Sequence, residues 1–173
     1  MSTGRERATV TGVTLMDVLV DFAGTGRLGP LRRGMPLTEA EDLLGPGRPH
    51  PAIVMKGPAI DGYPYYWSGL SLVVTERIVS GIRIDLWPGS SASLPPLVLP
   101  GSESFEAPVL RKDLAAALDA AGCEHHVHDE LTFGNQSCIR TRPADVYAFF
   151  YHSERDDDVP HRDRHYLTVM ATR

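Results

Sequence analysis

Between positions 123 and 130 the chain reads Cys-Glu-His-His-Val-His-Asp-Glu, so nearly every side chain in this stretch is a metal-ligand type. On a strand, His126 and His128 would share one face, and Cys123 and His125 the other. Two such donors, joined by His50, His152, His161 or His165 from elsewhere, are the kinds of ligand that zinc takes. The spacing fits no zinc motif, and a stable site needs three or four convergent donors held by supporting hydrogen bonds. The expectation is therefore a polar, His-rich strand with no cofactor. Cys123, His125, His126 and His128 are the metal candidates if one binds.

The same residues bear on nucleophilic catalysis. A Cys-His pair would combine Cys123 or Cys138 with His126 or His152, and it needs a stabilised thiolate. Cys123 follows the end of a helix pattern, where the dipole disfavours an anion. Cys138 sits beside Ile139 in a strand pattern and reads as a small core residue. No Gly-x-Ser-x-Gly elbow occurs. Gly24-Thr25-Gly26-Arg27-Leu28-Gly29 has Gly-x-Gly-x-x-Gly spacing, but it follows a helix pattern, whereas the dinucleotide fingerprint follows a strand and opens a helix.

Two further clusters are suited to recognition. Glu154, Asp156, Asp157 and Asp158 form an acidic loop, either a solvated turn or a surface for a basic partner, whose approach such charge accelerates. Tyr63-Pro64-Tyr65-Tyr66-Trp67 is the densest aromatic patch. Alternation sends Tyr63, Tyr65 and Trp67 to one face. That face is either core beneath a helix or, where exposed, a set of binding hot spots.

The elements that must position these groups follow from patterning. The chain has 173 residues and a formal net charge of −5, from 17 Lys+Arg and 22 Asp+Glu. Residues 1–87 balance nine against nine, so the second half carries the whole excess. An acidic chain argues against a general nucleic-acid binder. No apolar run approaches the roughly 20 residues of a membrane span. Residues 1–10 read as a flexible tail without a secretory signal. With two cysteines in no redox spacing, this gives the expectation of a cytoplasmic protein with reduced thiols.

Helical periodicity runs from a Thr11 or Thr14 cap to about Ala23, stopped by Gly24 and Gly26. A short helix follows between Met35 and Gly45, where Gly45 suits a left-handed cap and Pro46 blocks continuation. Another helix spans Val109 to Ala121. Period-two runs at 63–68, 70–75 and 82–87, with Gly69 and Gly81 at the joints, read as an antiparallel meander, and Ile53–Lys56 as a further strand. Later strands are expected near 123–128, 136–141, 145–152 and 165–171. The third of these is apolar on both faces, as a central strand is.

The order repeats, giving an expected α+β fold of two tandem helix-plus-antiparallel-sheet units at 11–87 and 109–173. A Pro-rich connection at 88–108 joins them, and one continuous sheet with helices on one face is an arrangement open to them. A single α+β domain with accidental similarity between its halves is the other reading. The stretch Arg33-Gly34-Met35 through Leu43-Leu44-Gly45-Pro46 resembles the opening of the small repeat in outer-membrane assembly lipoproteins of the SmpA/OmlA type and in tandem-repeat β-lactamase inhibitor proteins. The likeness is close over about 15 residues and loose over about 55. The chain departs from those families in lacking a lipoprotein signal and paired cysteines within each repeat, so secretion and anchoring do not carry over. The resemblance implies a sheet-plus-helix module used for protein binding. In general character the chain is also similar to cytoplasmic immunity proteins that neutralise bacterial toxins.

Three functions follow as expectations. The leading one is a protein-binding inhibitor, an immunity protein against a basic toxin domain, using Glu154, Asp156, Asp157, Asp158, Tyr63, Tyr65 and Trp67. The others are a small-molecule-binding protein with a pocket between sheet and helices, and a His-dependent enzyme. No nucleic-acid or membrane partner is expected.

Overall fold

The computed structural model describes residues 12–87, 93–100, 108–152 and 165–172. Helix α1 (Leu15–Thr25) begins in a capping box. Asp17 N–H donates to Thr14 Oγ1 at 3.2 Å, and Thr14 N–H donates to Asp17 Oδ2 at 2.8 Å. The Thr14 hydroxyl, donating to Asp17 Oδ2 at 2.7 Å, and then the Thr14 N–H hold the Asp17 carboxyl below its ordinary pKa. Gly24 does not stop the helix. It lies in the last turn, and Gly26, at φ 67°, forms the left-handed cap that a residue with a Cβ would resist. Helix α2 (Leu37–Leu44) ends at Gly45, whose N–H donates to Glu41 O, but with ψ 174° Gly45 extends the chain and is not a left-handed cap.

Strand β1 (Arg48–Pro49) leads into helix α3 (Pro51–Lys56), where a strand was expected at 53–56. Local chemistry explains the difference. His50 Nδ1 accepts from Ala52 N–H at 3.1 Å, Pro51 stands in the first turn where its missing N–H costs nothing, and Ile53 alone turns inward. Strands β2 (Tyr63–Trp67), β3 (Leu70–Thr75) and β4 (Ile78–Asp85) form the expected meander. The β3–β4 joint is Glu76-Arg77, both at positive φ, and Gly81 lies within β4 opposite Val73. The paired positive φ values match the right-handed twist of a two-residue hairpin, and Asp61 Oδ1 accepts from Glu76 N–H at 2.6 Å.

Helix α4 (Arg111–Ala120) precedes β5 (Glu124–Val127), β6 (Gln136–Arg142), β7 (Val146–Tyr151) and β8 (Tyr166–Thr172). All eight strands form one antiparallel sheet in the order β1-β2-β3-β4-β8-β7-β6-β5. The two meanders meet at their last strands, where Arg83, Ile84 and Asp85 face Ala171, Met170 and Val169. The fold is α+β, with its helices packed on the sheet. Element order is similar in the halves, but α3 interrupts only the first, and α1 of the first half packs on α4, β6 and β7 of the second.

One core serves both halves. Leu19 and Phe22 of α1, Leu114 and Leu118 of α4, and Leu72, Ile82, Ile84, Phe150, Leu167 and Met170 of the sheet are all buried in it. The connection at 88–108 is more than a surface link, since Leu94, Val98 and Leu99 are also buried there. A smaller cluster joins Leu37 of α2 and Ile53 of α3 to Tyr65 and Val74. Because Tyr65 is registered with Leu72, and Tyr63 with Val74, both clusters lie on the same side of the sheet. The four described α-helices pack on that side; on the other, the short 3-10 helix Asp129–Leu131 follows His128, whose ring packs on Tyr147.

Candidate functional site

The aromatic face of β2 lies under helices. Tyr65 is only 7% exposed, and Tyr63 and Trp67 pack beside it against Leu37 and Ile53. The Trp67 indole N–H donates to Gly45 O at 2.9 Å, which fixes the exit from α2. This is the core-beneath-a-helix alternative, and it removes Tyr65 as a surface contact. Tyr66, on the other side, has Arg48 stacked 5.0 Å over its ring. Glu154, Asp156, Asp157 and Asp158 lie outside the described residues, as does His161.

The His-rich strand divides its residues as alternation requires. His125 is registered with Thr141 and His126 with Arg140 on the opposite face. The His125 ring binds backbone, with Nδ1 3.0 Å from Cys123 O, and its Nε2 lies 3.9 Å from Asp119 Oδ1. Burial raises the Cys123 thiol, the reverse of what a nucleophile needs. Cys138 is fully buried, registered with Phe149 on the face away from the main core. The His128 ring packs 5.5 Å from Tyr147. Among the described residues no three His, Cys, Asp or Glu side chains converge to hold a metal.

A different pair of histidines meets at the far end of the second meander. His165 Nδ1 lies 3.2 Å from Ser137 Oγ, and the His152 ring is 5.6 Å from the His165 ring. Burial, then the charges of Arg111 and His152, hold the His165 pKa below its ordinary value. A neutral ring with its hydrogen on Nε2 accepts from the Ser137 hydroxyl. Ser137 is 2% exposed, so this pair orders the base of the strands and does not present a nucleophile. The sequence offers His165 only as a distant metal donor, and His152 as that or as a cysteine's partner, because a contact spanning 28 positions has no local signature.

The face opposite the α-helices carries what sequence reasoning did not single out. Trp87 and Tyr151 are 49% and 42% exposed, with ring centroids 6.1 Å apart. The available signal was alternation: Leu86 and Phe150 point into the core, so their neighbours Trp87 and Tyr151 must point away. Further along this face Arg83 pairs with Asp85 at 2.7 Å, and Arg140 lies over Tyr147. Tyr151 ends β7 three positions before Glu154 in the sequence. Compared with protein-family models, curated proteins and solved structures, the chain matches none.

Proposed function

We propose that this chain is a protein-binding inhibitor, a cytoplasmic immunity protein of tandem-repeat ancestry that neutralises a basic toxin domain. The observation that carries this reading is the exposed Trp87–Tyr151 pair on the sheet face opposite the α-helices, with Glu154 and Asp156–Asp158 next in sequence. Large aromatic groups that stay half in water gain most when a partner covers them, and they dominate the energetics of protein interfaces. The acidic run would raise the encounter rate with a basic partner, while the aromatic pair would hold the complex once formed. The space between sheet and helices is packed with Phe22, Leu72, Ile82 and Phe150, which weighs against a ligand pocket at that level.

The test is association with the purified toxin domain encoded by the neighbouring gene, followed by stopped-flow at low salt. Trp87→Ala should weaken the complex by about 30-fold, through faster dissociation. Reversing Asp156, Asp157 and Asp158 to Lys should instead slow association, with the effect shrinking as salt is raised. If neither change alters binding, the assignment of this surface is wrong; if no complex forms, the immunity reading itself fails.

A further inference from the structure

At the opposite end of β4, β7 and β8 from the aromatic pair lies an open groove of about 520 Å³. Arg27, Arg32 and Arg33 line it, together with Ser80 of β4, Ala144 and Thr172 of β8. No Asp or Glu is among its described lining residues. In a chain of net charge −5, three arginines thus line one concavity. Like charges at this separation repel, so the backbone must hold them there.

The backbone does so at three points. Leu28 and Leu31 exchange both N–H···O bonds, at 3.0 and 3.1 Å, and both side chains are buried in the core. Arg27 and Arg32 are the next residues outward from this bridge and so leave the turn side by side. Arg33 is fixed by the following residues, since Gly34 N–H donates to Val79 O at 2.8 Å and Val79 N–H donates to Met35 O at 2.9 Å. Gly26 brings the end of α1 against the wall: a Cβ there would lie 3.3 Å from Ala144 O. Arg32 also bonds Glu39 at 3.1 Å, an exposed pair of the kind that contributes little and exchanges readily.

We propose that this groove is a binding site for a small diphosphate-bearing anion. Guanidinium groups donate in planar forks that match phosphate oxygens, and three of them balance a diphosphate better than a single carboxylate. The volume lies in the range of small-ligand sites, and a concave wall suits a compact anion more than a protein surface. The diphosphate chemistry is shared by inorganic pyrophosphate and a nucleoside diphosphate.

Calorimetric titration of the full chain with pyrophosphate, ADP and hexa-aspartate tests the site. Pyrophosphate or ADP should bind one per chain and raise the melting temperature. Arg27→Ala and Arg33→Ala should each weaken binding by about tenfold or more, one charged contact being lost in each. Lys56→Ala, which removes an equal charge elsewhere, should not. Tighter binding of ADP than of pyrophosphate assigns a nucleotide, and equal binding assigns the inorganic ion. The proposal is overturned if neither phosphate compound binds, if only hexa-aspartate does, or if the double variant Arg27→Ala/Arg33→Ala binds as well as the parent while melting at the same temperature.

Discussion

Ser137 of β6 and His165, the residue just before β8, meet 3.2 Å apart across the intervening β7. The contact ties the start of β6 to the start of β8, while burial, then the charges of Arg111 and His152, hold the imidazole pKa below its ordinary value. A histidine whose folded pKa lies below its unfolded value binds fewer protons when folded. Its contribution to stability is therefore present above the unfolded pKa, about 6.5, and is lost as pH falls through the depressed folded value. Urea unfolding from pH 8 to pH 5 should show stability declining below about pH 6.5, and His165→Gln should flatten that decline. An unchanged slope in the variant would assign the decline to another group.

Gly47 lies against the Trp67 ring so closely that a Cβ would sit 2.5 Å from Cζ2. The indole is held by its bond to Gly45 O and by packing against Leu37 and Ile53, so it has little room to retreat. Gly47→Ala should destabilise the fold by about 1–3 kcal/mol, the usual cost of overpacking. Thermal melting with loss of the fixed Trp67 near-ultraviolet signal is the measurement, and an unchanged Tm would mean that the α2–β1 link shifts freely.

Thr141 Oγ1 donates to Ala23 O at 2.6 Å, joining β6 to the last turn of α1. The final carbonyls of a helix lack partners within it, and this one is buried. Thr141→Val keeps the shape and removes the donor, so it should cost about 1–3 kcal/mol in denaturant unfolding. Hydrogen exchange should show faster opening at the end of α1, and equal protection would refute the link.

Phe150 is fully buried in the shared core, registered with Ser137 on one side and Leu167 on the other. Phe150→Ala should cost about 3–5 kcal/mol, a large part of the stability of a domain this size. If the halves were independent units, calorimetry of the variant would show two transitions, with the first half unaffected. A single transition shifted as a whole is the expected result.

Most of the strands were legible because alternation reports them directly: 63–68, 70–75 and 136–141 differ from the structure by at most a residue. Ile53–Lys56 was misread because a four-residue apolar run has no period to resolve, and the decisive signal was the His50 cap with Pro51. Gly81 was taken for a joint, although the turn is Glu76-Arg77, whose residue types do not announce positive φ. The surface pair was half visible: the parity of Trp87 and Tyr151 could be read from sequence, but their meeting depends on β8 lying between their strands. The arginine groove was not legible at all, since Gly26, Val79 and Thr172 approach one another only through the sheet order.

That order has a kinetic consequence. Among the described strands every pairing but one joins strands consecutive in the chain, so each meander can zip from its own hairpins with little loop-closure entropy. Only β4 and β8 must find each other over a long separation, and their register covers three residue pairs. The rate of folding should therefore be set by that single encounter, and α1, which reaches from the first half onto β6 and β7, is the element placed to hold the two meanders together while it occurs.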